Sequence, residues 1–241
     1  MTDIIDKVID MIYPPACPIC GKALAVAEGV RRRTCVECEK KLVYIGAPRC
    51  LKCGKELEDE EKQYCYDCGR LEHAYTQGTA VFAYTEAIKQ SIYRYKYKGK
   101  REYAVWYGDQ IAKKCGAQIA IWRPDVIIPV PLHHNKLRKR GYNQAQLLAE
   151  EIGKNTGIPV NAGYLLRGKN TAPMKELSEN ERTKNLEKAF FIKNNGVKYN
   201  KVMLVDDIYT TGATVDACAK VLKAAGIEQI YCVSLCVGKG I

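Results

Sequence analysis

The chain has 241 residues, 47% of them apolar, and a mean hydropathy of -0.28, enough for one α/β domain of ordinary size plus a small module. No stretch approaches the roughly 18 apolar residues of a membrane-spanning helix, so no membrane insertion is expected. The whole net charge of +11 falls in residues 71–241, with 26 Lys/Arg against 15 Asp/Glu, while residues 1–70 balance at 12 and 12; the basic part is expected to meet a polyanion or an anionic small molecule.

Residues 1–10 set three aspartates among apolar residues and read as part of a short helix. They lack the basic start and apolar run of a signal peptide, which predicts a cytoplasmic protein. Eight of the twelve cysteines then fall into four Cys-x-x-Cys pairs: Cys17/Cys20, Cys35/Cys38, Cys50/Cys53 and Cys65/Cys68. Each pair puts two thiolates on one side of a tight loop, and two such knuckles complete a tetrahedral zinc site. Gly21, Gly54 and Gly69 follow three of the pairs as turn residues. A loop-rich segment with few large apolar residues needs metal to fold, so two structural zinc ions are expected. Disulfides do not suit a chain without an export signal. Ligand pairing stays open between sequential ribbons and an interleaved cross-brace. Cys115, Cys218, Cys232 and Cys236 lie in apolar segments and read as core.

Ile88 to Arg101 carries Lys89, Arg94, Lys96, Lys98, Lys100 and Arg101 without an acid, interleaved with Tyr93, Tyr95 and Tyr97. Cations beside aromatic faces suit single-stranded nucleic acid. The rival reading is an amphipathic helix whose Tyr93 and Tyr97, four apart, pack inward while the lysines face water.

From Asp125 on, strands and helices alternate. Val126–Val130 is a short apolar strand, and Asn143–Thr156 has helical spacing in Ala145, Leu148, Ala149 and Ile152 before Gly157. Lys201–Val205 is a second buried strand, Ala213–Ala225 a helix stopped by Gly226, and Gln229–Leu235 a third strand. The alternation predicts a parallel sheet flanked by helices, with ligands at the carboxyl ends of its strands.

At one such end stands Asp206-Asp207-Ile208-Tyr209-Thr210-Thr211-Gly212-Ala213-Thr214. Gly212 allows a tight turn and close approach of the backbone, and the new helix turns free N–H groups toward an anion. The hydroxyls of Thr210, Thr211 and Thr214 add donors for phosphate oxygens, and the two carboxylates can accept from a ribose diol. A plain helix cap explains one acidic residue there, not two after an apolar strand with three threonines in one turn. The chain has neither the Gly-rich Lys-Ser/Thr loop of nucleoside triphosphatases nor a Gly-x-Gly-x-x-Gly. Candidate cations for a ligand's diphosphate, or for nucleic acid, are Arg138, Lys139, Arg140, Lys96, Lys98, Arg167 and Arg182, with Lys169. The polar segment 168–187 has the composition of a mobile lid.

Val202 to Thr214 resembles the phosphoribosyl diphosphate (PRPP) motif of type I phosphoribosyltransferases. That resemblance implies that Asp206 and Asp207 bind the ribose hydroxyls and that Thr210, Thr211, Gly212, Ala213 and Thr214 hold the 5-phosphate. It also implies that Pro129-Val130-Pro131-Leu132 forms the diphosphate loop and that magnesium accompanies PRPP. A knuckle after Tyr13-Pro14-Pro15, then Tyr95-Lys96-Tyr97-Lys98-Gly99, Pro129-Val130-Pro131-Leu132 and Arg140-Gly141-Tyr142-Asn143-Gln144 appear in that order, followed by Arg182 with Asn185, Ala189 and Phe190. Together they are similar to the ComF (ComFC) family, a double zinc ribbon (here 1–70) fused to a type I phosphoribosyltransferase-like domain (71–241). One departure is Met174, where the family often has glutamine. The resemblance implies a role in natural transformation, handling single-stranded DNA beside a competence helicase. An active magnesium-dependent phosphoribosyltransferase of nucleotide salvage or synthesis is the alternative, and a non-catalytic PRPP sensor a third. No residue identifies an acceptor.

Overall fold

A computed structural model of the chain describes residues 14–24, 33–168, 189–193 and 196–238. The N-terminal helix, Lys169, Met174, Arg182 and all of the lid segment beyond Gly168 lie outside the described residues. In chain order the elements are helices α1 (Val36–Glu39) and α2 (Tyr66–Arg70), strand β1 (Gln77–Ala83), helices α3 (Glu86–Tyr97) and α4 (Tyr103–Trp122), and strand β2 (Val126–Pro129). Helices α5 (His134–Arg140) and α6 (Gln144–Thr156), strands β3 (Leu165–Arg167), β4 (Phe190–Ile192) and β5 (Lys201–Tyr209), helix α7 (Ala213–Ala224) and strand β6 (Gln229–Val237) follow.

The main sheet runs β1-β6-β5-β2, every pair parallel, and β3 and β4 form a separate antiparallel ribbon. Val202 to Val205 are fully buried, as the unbroken apolar run of a strand covered on both faces requires. Met203 and Val205 join a cluster with α3, α4 and α6, while Val202 and Leu204 join one with α7. The predicted helix over 143–156 is α6, its Asn143 side chain accepting from the Ala145 N–H at 3.1 Å and Gly157 closing it at φ 75°. Cys115, Cys218, Cys232 and Cys236 are buried as expected. The expected parallel sheet flanked by helices is therefore observed.

Three boundaries differ from the sequence reading. β5 continues past Val205 to Tyr209 and β6 past Leu235 to Val237, because their register holds through Asp206↔Ser234 and Tyr209↔Val237. β2 ends at Pro129, although the Val130 N–H still reaches the Val205 carbonyl at 2.9 Å. Gly69 is no turn residue but lies inside α2. The sequence reading also passed over β1 and α4; the signal for α4 was present in the spacing of Tyr107, Ile111, Cys115 and Ile119.

The cysteine-rich segment shares the core of the sheet. Cys17, Ile19, Leu24 and Cys38 join the α3/α4 cluster, and Ile45, Cys50, Cys53 and Leu57 join the α7 cluster on the other face. Between the two knuckle sets the chain runs antiparallel to β1: Ile45 N donates to Val81 O and Ala83 N to Val43 O, both at 2.9 Å. This covers the outer edge of the sheet, which would otherwise present unpaired backbone groups. Gly54 seats the third knuckle there, since a Cβ on it would lie 2.8 Å from the Gly78 carbonyl and the Thr79 Cα. Among the described residues no helix is long and apolar enough to cross a membrane.

Candidate ribose-phosphate site and metal clusters

The eight knuckle cysteines form two clusters, Cys17/Cys20/Cys35/Cys38 and Cys50/Cys53/Cys65/Cys68, each with its sulfurs within 4.8 Å of one another. The pairing is thus sequential, and the cross-brace is set aside. Sulfur separations of 3.8 Å (Cys20–Cys35, Cys17–Cys35) and 3.6 Å (Cys53–Cys65) match the edge of about 3.8 Å of a tetrahedron with zinc–sulfur bonds of about 2.3 Å. They are far beyond the roughly 2.05 Å of a disulfide. Without a cation the thiols compete for protons: hydrogen bonding to Cys53 pulls Cys50 down, and the same contact pushes Cys53 up. Zinc would make all four thiolates at once, and the buried Lys55, 2.6 Å from Asp67, offsets part of that negative charge. Four thiolates leave no open position, so both clusters fit structural zinc.

The second site lies where β5 and β2 end side by side. Because β5 runs through Asp206 and Asp207, their side chains face opposite sides of the sheet rather than projecting together from a strand tip. Asp207 turns to the α3 side and ion-pairs with Lys96. Asp206 accepts from the Asp207 N–H at 2.8 Å, and burial and the Asp207 charge push its carboxyl well up. Burial disfavours the Lys96 ammonium, but the Asp207 carboxylate outweighs this and raises it.

Thr210 and Thr211 are exposed, and Gly212 opens α7 at φ 86°. Glycine is required here: a Cβ would meet Tyr209 Oη at 2.5 Å and His73 Cε1 at 3.1 Å. Thr214 lies in the first turn of α7, the N-terminal turn from which the sequence led us to expect anion-binding N–H groups. Opposite, the Asn143 amide donates to the Val130 carbonyl at 3.1 Å and ties the start of α6 to the Pro129–Pro131 loop.

The expected cations divide. Arg140 lies over the Tyr97 ring at 4.8 Å and donates to its hydroxyl at 3.0 Å. Arg167 lies over Phe190 at 5.2 Å, lowered by burial and held back by the Asp206 charge. Arg138, Lys139 and Lys98 are exposed. Lys136, overlooked in the sequence and exposed like them, belongs with this group: partial desolvation lowers it, and so do the charges of Arg140, Arg167 and Lys96.

In α3 the inward tyrosine is neither of the two expected from the spacing. Tyr95 is the buried tyrosine, donating to the Gln144 carbonyl at 2.8 Å, whereas Tyr93 and Tyr97 are about half exposed. Arg94 is engaged by the Ile19 carbonyl, Lys100 by Glu102 at 3.2 Å and Arg101 by the Tyr142 ring at 4.7 Å. Tyr93, Lys96 and Tyr97 line two adjoining clefts of about 360 and 320 Å³, one completed by Tyr84 and Ile208, the other by Lys139 and Arg140.

A family model described as Double zinc ribbon domain matches residues 8–69. Competence protein F of Haemophilus influenzae is 32% identical over 207 residues, covering 81% of this chain and 86% of that protein. Competence protein ComFC of Streptococcus pneumoniae is 29% identical over 211 residues, covering 83% and 86%. Among solved structures, a purine phosphoribosyltransferase from Pyrococcus horikoshii Ot3 overlaps 55% of this chain and 73% of that one at 19% identity and a TM-score of 0.34, a likeness too loose to bear on activity.

Proposed function

The chain belongs to the ComF (ComFC) family of competence proteins, and from that premise we propose that it binds PRPP or a related ribose phosphate and handles single-stranded DNA during DNA uptake. The observation that carries the reading is the continuity of β5 into the Thr210–Thr214 loop and α7: two carboxylates, then hydroxyls, then a helix N-terminus, within one span beside the Pro129–Pro131 loop. On this reading the Asp206–Asp207 step of β5 lies at the ribose, with one carboxylate on each side of the sheet, Thr210, Thr211, Gly212, Ala213 and Thr214 take the 5-phosphate, and Arg140, Lys136 and Arg167 meet the diphosphate. Magnesium fits the acid pair poorly, because Asp207 already holds an ammonium among further cations; any such ion would ride on the ligand's own diphosphate. Exposed Tyr93, Tyr97 and Lys98 supply ring faces and charge for a single strand, and the resemblance brings a competence helicase as partner.

A second reading, phosphoribosyl transfer, is favoured by the cleft of Tyr84, Tyr93 and Ile208, which Lys96, the partner of Asp207, also lines and where an acceptor ring would stack. The test is a binding screen of PRPP, nucleotides and single-stranded DNA against the wild type and the Asp206→Ala/Asp207→Ala variant. The variant is expected to lose about tenfold or more in PRPP affinity while keeping its zinc. Equal affinity in the two proteins would place the ligand elsewhere. PRPP consumption with one particular acceptor would decide for transfer.

A further inference from the structure

The acid pair carries a cation of its own. Lys96 is ion-paired with Asp207, and the two side chains are only 16% and 6% exposed. The helix that presents Lys96 is fastened in the turn and a half before it. Ser91 Oγ donates to the Pro18 carbonyl at 2.5 Å, Arg94 to the Ile19 carbonyl, and Tyr95 Oη to the Gln144 carbonyl at 2.8 Å. The ammonium is therefore placed on the carboxylate by the fold and does not wander there from solvent. Burying such a pair costs desolvation on both sides, and a well-packed apolar pair of the same shape is often at least as stable. Stability alone does not account for it.

An ammonium has three N–H donors, and Asp207 uses one. Lys96 also lines both clefts, so its remaining donors are available where a ligand would enter. Arg140 lines one of these clefts beside Lys96 and adds a second positive charge there. A divalent ion at the Asp207 carboxylate would have to displace Lys96 and then sit among these cations, which Coulomb repulsion opposes.

The geometry points to Lys96 as the resident cation of the ribose-phosphate site: held by Asp207, its ammonium occupies the place a magnesium ion would take between protein carboxylate and ligand oxygens, so the site holds PRPP without magnesium. This rests on reading the site as PRPP-type. It predicts that the protein's carboxylates contribute no metal-binding site of their own, and that Lys96 sets the metal requirement of the ligand.

The test measures PRPP affinity by calorimetry with magnesium in excess and in buffer stripped of magnesium by chelating resin before the protein is added, which leaves the zinc clusters untouched. Wild type, Lys96→Met and Lys96→Arg are compared, with zinc content and circular dichroism as checks of folding. The wild type is expected to bind with affinities within about threefold in the two buffers, and Lys96→Met to lose about tenfold or more in the stripped buffer. Magnesium should restore part of that loss, and Lys96→Arg should behave as the wild type. A wild type that binds only with magnesium overturns the assignment whatever the variants do. So does a folded Lys96→Met that binds as well as the wild type without magnesium. Should Lys96→Met fail to fold, the wild-type comparison and Lys96→Arg still decide. Absence of PRPP binding in both buffers would instead sink the PRPP reading beneath it.

Discussion

His73 Nδ1 lies 2.5 Å from Asp216 Oδ2, pinning the chain that leaves the second zinc cluster to the first turn of α7. The other oxygen of Asp216 accepts from the Ala74 N–H at 2.9 Å, and Tyr75 Oη meets Tyr209 Oη at 2.8 Å one step further on. Since His73 also abuts Gly212, the phosphate-side loop is braced from behind by residues of the ribbon exit. His73→Ala removes a buried hydrogen bond to a charged group, expected to cost about 1.5–3 kcal/mol. Asp216→Asn keeps an acceptor for Ala74 and should cost less. Urea denaturation of the zinc-loaded proteins measures both, and PRPP affinity should fall in the same order. A His73→Ala protein with wild-type stability would show that this contact braces nothing.

Asp206 gives the protein a pH dependence of definite sign. Burial and the neighbouring Asp207 raise its carboxyl above the ordinary value of about 3.9. The folded state then binds the proton more tightly than the unfolded chain, so this group's contribution is fullest at low pH and is lost as pH rises through the raised value. Asp206→Asn cannot ionise, and its amide oxygen can still accept from the Asp207 N–H. The variant is expected to be more stable than the wild type at neutral pH, by an amount of order 1 kcal/mol, with the gain shrinking as pH is lowered. Denaturation at several pH values, all above the point where zinc leaves the thiolates, reads the difference. A pH-independent difference between the two proteins would mean that the Asp206 charge is compensated in the fold.

The zinc clusters support different halves of the site. The first holds α3, through Pro18 and Ile19 with Ser91 and Arg94, and α3 carries Lys96. The second leads into His73 and Tyr75 and from there to α7 and Tyr209. Cys38→Ser should therefore retain one zinc and raise hydrogen exchange in α3, while Cys65→Ser should retain the other and raise it around the start of α7. Each cluster contributes directly to folding free energy, so both variants should also melt lower. Zinc stoichiometry with residue-resolved exchange checks this; equal loosening of both regions in both variants would refute the division.

What the sequence showed clearly was local chemistry. Spacing of cysteines implied two zinc sites, and the run from Asp206 to Thr214 marked a strand end with an anion-binding turn, because backbone and side-chain demands coincide within a few residues. Pairing of the knuckles, the Lys96–Asp207 contact across 111 positions, and the seat of Gly54 against Gly78 depend on how distant elements pack, and nothing local encodes them. The same holds for Tyr95. Helical spacing offered Tyr93 and Tyr97 as the inward pair, and only the position of α6 selects Tyr95 instead. Lys136 was missed because an exposed lysine looks like any other until its cationic neighbours are placed around it.

Exposure of Tyr93 and Tyr97 sets the terms for nucleic acid. Their ring centroids lie 5.2 Å apart at 45°, and Arg140 covers one side of Tyr97. Two rings and a guanidinium in that order offer stacking surfaces for consecutive unpaired bases, whereas a paired duplex keeps its base faces hidden. Tyr93→Ala is expected to weaken single-stranded DNA binding by about 1–3 kcal/mol and to leave any duplex binding nearly unchanged. Lys98→Ala, at an exposed position, should weaken binding evenly across sequences and reduce the slope of log affinity against log salt by about 1. Fluorescence anisotropy with labelled oligonucleotides at several salt concentrations separates the two effects. If Tyr93→Ala lowered only the salt slope, or weakened duplex and single strand alike, the tyrosines would be bystanders and the interface purely electrostatic.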